Sequence, residues 1–354
     1  MSKKKRVLIV DDSASTRLGL RRLLGESGAF EVVGEAANSA EAVALSSSLQ
    51  PDLVTMDVYL AGDDGLSATR AIMSAAPCRV VIVTALDSAR MNLAFRATAA
   101  GALDVLCKPW FDESERAEHG RRRFLSALAS VKLLGPRSAG NGRRRNRTPS
   151  RPHSEPPACV PLLALGASTG GPAVLQRILK ALPAPFPAAV VVVQHIEKGF
   201  CDGLRDFLSS TGHAVEVVTR PTLLEASRVY LAPDDAHLHL LSSGVLTPVD
   251  GEPRRFQKPS IDEFFESVPR SQASMTFAAL LSGMGDDGAQ GLLRLRKHGA
   301  GTVAQAPDGC VVPAMPAAGL AIGGASIALE PEQIARAAYS FVIARRAAQR
   351  GETR

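Results

Sequence analysis

The chain has 354 residues, 45 % of them apolar, which is room for two domains with buried cores and too apolar for wholesale disorder. Its net charge of +6 equals the six arginines at 137, 143, 144, 145, 147 and 151, which lie together without an acid, so no nucleic-acid partner is expected through a folded basic groove. No apolar run reaches about eighteen residues, which excludes a spanning helix and direct membrane insertion, and five scattered cysteines without a C-x-x-C pair exclude a disulfide framework or a zinc site.

The basic start, Lys3 to Arg6, is followed only by Val7–Val10 before Asp11 and Asp12. That apolar core is too short for an export signal, so a cytoplasmic location is expected. Short apolar runs then alternate with helical spacing. Strands are predicted at Val7–Val10, Glu31–Gly34, Leu53–Met56, Val80–Thr84 and Val105–Cys107. Helices are predicted at Ser15–Leu24, Ala40–Ser48, Leu66–Ala75, Asn92–Ala100 and Ser114–Leu134. Five such units in series imply a doubly wound parallel sheet over residues 1–134.

In that sheet Asp11 and Asp12 follow the first strand, Asp57 the third, Thr84 ends the fourth and Lys108 follows the fifth. Parallel strands bring their carboxyl ends to one edge, so three carboxylates, a hydroxyl and an ammonium meet in one crevice. Like charges so close call for a hard divalent cation such as Mg²⁺. Asp57 can then accept a phosphoryl group, with Lys108 balancing its charge and Thr84 bonding its oxygens. Acids at wet strand ends are common one at a time; five matched positions are not.

Residues 135–158 are rich in arginine, proline and glycine and read as a linker. A second alternating pattern fills residues 159–347. Its strands are predicted at Val160–Leu165, Ala188–Gln194, Val215–Val218, Val229–Ala232, Phe277–Leu281 and Thr302–Ala304, with a hairpin over His237–Val249. Its helices are predicted at Ala173–Ala181, Gly203–Ser209, Ser260–Ser267 and Gly288–His298. Leu-Leu-Ala-Leu-Gly-Ala-Ser-Thr-Gly-Gly-Pro puts Ser168 on a small-residue turn between strand and helix, where a substrate can come close and unpaired N–H groups await negative charge. A free serine is a poor nucleophile and needs a base. His195, capping the most apolar strand, is the candidate. His119, His153, His213 and His298 read as surface residues, and His237 with His239 lacks a third metal ligand. Asp286 and Asp287 end a further strand, and either could orient the imidazole, although a pair of aspartates before a helix is often only a cap.

Val-Leu-Ile-Val-Asp-Asp-Ser, Asp-Leu-Val-Thr-Met-Asp, Val-Ile-Val-Thr-Ala and Cys-Lys-Pro resemble the response-regulator receiver family. That resemblance implies a flavodoxin-like fold and phosphorylation of Asp57 by a histidine kinase of the CheA type. It also implies Mg²⁺ held by Asp12, Asp57 and the backbone carbonyl of Tyr59, and a cis Lys108–Pro109 bond. The family's aromatic residue three before the lysine is Val105 here. Gly-Ala-Ser-Thr-Gly-Gly-Pro, Val-Val-Gln-His-Ile, Leu-Ala-Pro-Asp-Asp-Ala-His, Pro-Ser-Ile-Asp and Ser-Gly-Met-Gly-Asp-Asp-Gly-Ala resemble the catalytic domain of the chemotaxis protein-glutamate methylesterases, CheB. This second resemblance implies a Rossmann-like domain with Ser168 as nucleophile, His195 as base and Asp287 as orienting acid. It further implies oxyanion contacts from Thr169 and Met284, methyl-accepting chemoreceptors as substrates, glutamine deamidation as a second activity, and no cofactor for the esterase chemistry. The alternative is a non-enzymatic phospho-receiver whose second domain only binds a partner; an intact serine, histidine and aspartate set speaks against it.

Overall fold

The computed structural model describes residues 4–60, 63–84, 101–109, 115–131 and 160–350. The helix expected at 92–100 and the linker expected at 135–158 lie outside the described residues.

The N-terminal part is a five-stranded parallel sheet. Its strands are β1 (Lys5–Val10), β2 (Phe30–Ala36), β3 (Leu53–Met56), β6 (Arg79–Thr84) and β7 (Asp104–Cys107), with a small antiparallel pair, β4 (Tyr59–Leu60) and β5 (Asp63–Asp64), beside it. The sheet order is β2-β1-β3-β6-β7. Alternation along β1 explains the two-sided core. Leu8 and Val10 join one buried cluster, Val7 and Ile9 the other, as successive side chains of a strand must. Helices Ala14–Glu26, Ser39–Leu49, Gly65–Ala75 and Glu115–Ser130 cover the faces. The first two start where a side chain takes up a free N–H: Ser13 accepts from Thr16 and Asn38 from Glu41.

The C-terminal part carries β8 (Leu162–Ala167), β9 (Ala189–Gln194), β10 (Ala214–Val217), β12 (Arg228–Leu231), β15 (Thr276–Leu280), β16 (Gly301–Gln305) and β17 (Ala328–Leu329). They form one parallel sheet in the order β10-β12-β9-β8-β15-β16-β17. A separate antiparallel sheet holds β11 (Thr222–Leu223), β13 (His237–Leu240) and β14 (Val245–Val249). β8 and β9 lie at the centre of the large sheet and are buried along their whole length. Leu163, Leu165, Val190 and Val192 face one cluster; Leu162, Ala164, Val191 and Val193 face the other. Truncating one such side chain, as in Leu165→Ala, costs about 2–5 kcal/mol. The chain leaves β8 towards β9 on one side and returns to β15 on the other. The crevice therefore opens at the carboxyl ends of β8, β9 and β15, where the strand order reverses.

The α/β architecture and the doubly wound sheets stand as expected. Several details differ. The long helix Pro331–Gln349, started by a capping box between Glu330 and Gln333, closes one face of the second sheet and was not anticipated. His213 is buried, not a surface residue, because its Nε2 bonds the Leu179 carbonyl at the end of a helix (2.9 Å). The cis bonds among the described residues are Ala184–Pro185 and Lys258–Pro259; Lys108–Pro109 keeps the trans form that even a prolyl amide prefers.

Candidate active site

Two sites lie at the carboxyl edges of the two large sheets. In the first, Asp11, Asp12 and Asp57 bring one carboxylate oxygen each within 4.8 Å of one another. Lys108 Nζ lies 2.8 Å from Asp11 Oδ2 and 2.6 Å from Asp57 Oδ2. Burial would lower the Lys108 ammonium, but its bonds to Asp11 and Asp57 outweigh that and raise it above the usual value. Asp57 Oδ1 is buried with no hydrogen-bond partner, and so is Thr84 Oγ1. An orphaned oxygen inside an all-oxygen, acidic donor set fits a hard divalent ion. Val105 is partly buried and packs against the core of both sheets, so the position that resembles an aromatic switch carries a small apolar contact.

The second site is built from three glycine-flanked strand ends. Ala167 of β8 pairs with Gln194 of β9, so Ser168 and His195 leave neighbouring strands side by side. The turn at Ser168 needs glycine twice over. Gly170, at φ +78°, occupies the left-handed region that side chains disfavour. Gly283, on the loop after β15, comes so near that a Cβ there would lie 2.6 Å from Ser168 Cβ. Gln194, the polar end of an apolar strand, donates through Nε2 to the carbonyls of both Ser168 (2.8 Å) and His195 (2.9 Å). That tie was not anticipated. The signal for it was a glutamine closing an otherwise apolar run.

Both aspartates lie near, but only one meets the histidine. His195 Nε2 is 2.7 Å from Asp287 Oδ2. Asp286 points outward and pairs with Arg255 at 2.5 Å. Asp287 is 2 % exposed and accepts three further bonds at the start of the helix Ile261–Ser267. These come from Ile261 N (2.7 Å), Ser260 Oγ (2.9 Å) and Asp262 N (3.1 Å). Burial alone would raise this carboxyl. The bond from His195 and the N–H groups of the helix start win, and hold it down to about 2.

An ionised carboxylate only accepts, so the imidazole proton sits on Nε2 and Nδ1 is left as the basic atom. His195 Nδ1 is buried and has no partner. No hydrogen bond joins it to Ser168 Oγ in this state. Catalytic hydrogen bonds of free enzymes are commonly long and close only around substrate.

The backbone around Ser168 sorts its own donors. Ser168 N–H is used on Ser282 O (3.0 Å) and Gly171 N–H on Ser168 O (2.7 Å). The N–H groups of Thr169 and Met284 have no backbone carbonyl as partner among the described residues. Ser282 Oγ fixes both loops, donating to Thr169 O (2.8 Å) and accepting from Val312 N (3.1 Å).

The two halves of the chain touch at this site. Val311 and Val312 belong to the same buried cluster as Phe124, Leu128 and Val131 of the N-terminal part. Ser126 Oγ lies 2.9 Å from Met284 Sδ. The helix Glu115–Ser130 thus rests on two of the loops that frame Ser168.

Comparison with known proteins agrees with this geometry. Residues 163–338 match the family described as CheB methylesterase, and residues 7–118 match the response regulator receiver domain. The chain is 41 % identical over 341 residues to "Protein-glutamate methylesterase/protein-glutamine glutaminase 3" of Anaeromyxobacter dehalogenans (strain 2CP-C), covering 93 % of this chain and 97 % of that protein. It is 38 % identical over 348 residues to "Protein-glutamate methylesterase/protein-glutamine glutaminase 4" of Geobacter metallireducens, covering 96 % and 99 %. Among solved structures, the Thermotoga maritima CheB methylesterase catalytic domain aligns with a TM-score of 0.50 at 31 % identity, over 52 % of this chain and 100 % of that one.

Proposed function

Because this chain belongs to the CheB methylesterase family and carries a receiver domain with it, we propose that it is a phosphorylation-controlled protein-glutamate methylesterase. Its substrates are glutamyl methyl esters on methyl-accepting chemoreceptors, in chemotaxis or chemotaxis-like adaptation. The relatives' names add glutamine side chains on proteins as a second substrate class. The observation that carries the reading is the His195–Asp287 pair, which leaves Nδ1 unpartnered at the strand end next to that of Ser168.

Ser168 Oγ attacks the γ-carbonyl carbon of the ester while Nδ1 of His195 takes its proton. Asp287 stabilises the imidazolium that results. The negative charge arriving on the carbonyl oxygen faces the N–H groups of Thr169 and Met284, which are fixed in advance and need not reorganise. As the tetrahedral adduct collapses, the methoxy oxygen takes the proton from Nδ1 and methanol leaves. Water then gives its proton to Nδ1 and its oxygen to the acyl carbon, which releases the glutamate carboxylate and restores Ser168. With glutamine the leaving group is ammonia. Every proton in this scheme is moved by the chain's own residues, and no cofactor takes part in it.

Asp57 is the phospho-acceptor, and a CheA-type histidine kinase is the donor. Asp12, Asp57 and the carbonyl of Tyr59 would hold Mg²⁺, which supplies charge neutralisation for phosphoryl transfer. Asp11 and Thr84 complete the pocket, and Lys108 offers its ammonium to the new phosphoryl oxygens. Residues 1–134 act as the receiver and 159–347 as the esterase, joined by 135–158. The contacts of Ser126 with Met284, and of Val311 and Val312 with the receiver's buried cluster, support a resting state in which the receiver limits access and phosphorylation shifts the balance. The proposed site of action is the cytoplasm; no helix among the described residues is long and apolar enough to cross a membrane. The test is methanol release from methylated receptor membranes by wild type and Ser168→Ala, with and without a small phosphodonor. Release should vanish in the variant and rise with the donor in wild type; undiminished release by the variant would remove Ser168 from the reaction.

A further inference from the structure

Asp287 is not the only acid in its pocket. Asp262, fully buried, starts the helix Ile261–Ser267, and the two acids serve each other's helices. Asp287 accepts the N–H groups of Ile261 (2.7 Å) and Asp262 (3.1 Å) at the start of that helix. Asp262 Oδ1 in return accepts the N–H of Gly291 (2.7 Å) in the first turn of Ala289–Lys297, the helix that follows Asp287. Each helix start thus receives a carboxylate from the other, as the positive ends of their dipoles favour. The two backbones approach so closely that a Cβ on Gly291 would lie 2.6 Å from Phe265 Cβ and 3.2 Å from Asp262 Cα.

The clamp needs only one oxygen of Asp262. An asparagine could offer the same acceptor to Gly291. Yet the residue is an acid, and its other oxygen, Oδ2, is buried with no partner. Burial, with the charge of Asp287 adding to it against the pull of the Gly291 N–H, raises the Asp262 carboxyl to about 6. The other charges that act on it are Arg254, which favours its ionised form, and Glu266, which opposes it; Arg255 also feels its charge.

We propose that Asp262 is a positioning residue for hydrolysis at Ser168, acting on His195 through Asp287: it clamps the helix start that cradles the Asp287 carboxylate and sets its own carboxyl beside it. This rests on the reading of Ser168, His195 and Asp287 given above. When ionised, Asp262 adds negative charge behind Asp287 and favours the imidazolium that forms as Ser168 loses its proton. When protonated, it does not. The same ionisation opposes folding, since a buried carboxylate oxygen without a donor is costly. Activity and stability therefore pull in opposite directions at this residue, which a purely structural side chain does not do.

The experiment uses the full chain as wild type, Asp262→Asn, Asp262→Ala and Ser168→Ala. Methanol release is followed against the concentration of methylated receptor membranes from pH 5 to 8.5, with Tm measured on the same samples. Asp262→Asn should match wild-type kcat within about twofold at pH 5 and fall about three- to tenfold below it at pH 8, the effect of half to one pKa unit of interaction. KM should be unchanged, and Tm at pH 8 should equal or exceed that of wild type. Asp262→Ala, which loses the clamp as well, should lose kcat at every pH; if it fails to fold, the asparagine variant still decides. A wild-type to Asp262→Asn ratio that does not change with pH, or a loss of activity that tracks a lowered Tm, overturns the proposal. The Ser168→Ala arm separates the two readings. If that variant still releases methanol, the serine assignment falls and this inference falls with it. If it is silent while the ratio stays flat, only this inference falls.

Discussion

Replacing Asp287 with asparagine keeps the shape of the site and removes its charge. The native carboxylate accepts four bonds between 2.7 and 3.1 Å, from His195 Nε2, Ile261 N, Ser260 Oγ and Asp262 N. An amide has one oxygen and an NH₂, so two of these donors must face a donor. If the oxygen keeps Ser260 and Asp262, the NH₂ meets Ile261 N–H and His195 Nε2. The ring can answer only by moving its proton to Nδ1, which removes the lone pair that Ser168 needs. We expect kcat to fall by about 10⁴-fold, the scale known for an amidated orienting acid, with little change in KM. Stability falls too. The folded carboxyl lies at about 2 against an ordinary 3.8, which is worth about 2–3 kcal/mol at neutral pH. For a depressed acid that contribution is complete above pH 3.8 and is lost as pH falls through 2. Urea unfolding of wild type and variant at pH 7 and at pH 2.5, beside methanol release at pH 7, tests both parts. A variant within tenfold of wild-type kcat would show that Asp287 does not set the tautomer. A stability gap that fails to narrow in acid would show that its charge is not what it contributes.

Three other outcomes follow from the same geometry. Gly283→Ala brings a Cβ to 2.6 Å from that of Ser168; pushing the nucleophile aside should cost kcat about 100-fold, and a wild-type rate of methanol release would show that the strand ends can part freely. Asp57→Asn removes the buried acceptor held by Lys108 and should abolish both the stimulation of methanol release by a small phosphodonor and the incorporation of labelled phosphate. Asp262→Asn should be the more stable protein at high pH. The native carboxyl is raised from 3.8 to about 6, so its favourable contribution is full below pH 3.8 and is lost as pH rises through 6, a difference of about 3 kcal/mol at pH 8; unfolding midpoints that coincide at pH 3.5 and separate above pH 6 would bear this out, and midpoints that stay together would refute it.

Much of the fold was legible because burial on both faces of a sheet writes a plain pattern. Val-Val-Val-Val before Gln194 and Leu-Leu-Ala-Leu before Gly166 admit only central strands, and strands of that kind must carry helices on either side. The ends of those strands were legible for the same reason: where an apolar run gives way to polar or small residues the sheet meets water, and Asp11, Asp57, Ser168 and His195 all stand at such ends. What stayed hidden depends on partners far away in the chain. Asp286 and Asp287 are neighbours of one type, and composition cannot rank them. Their difference arises because the start of the helix Ile261–Ser267 packs against one and leaves the other to Arg255. Asp262 is the sharper case. In sequence it is an acid in the first turn of a short helix, where acids are expected for the dipole alone. Only the packing of that helix against Ala289–Lys297, which buries it completely beside a second carboxylate, turns an ordinary helix-start residue into a group whose charge opposes folding. A cap exposed to water would not carry that cost. An acid kept where an amide could make the same bond to Gly291 is therefore best explained by what its charge does for His195.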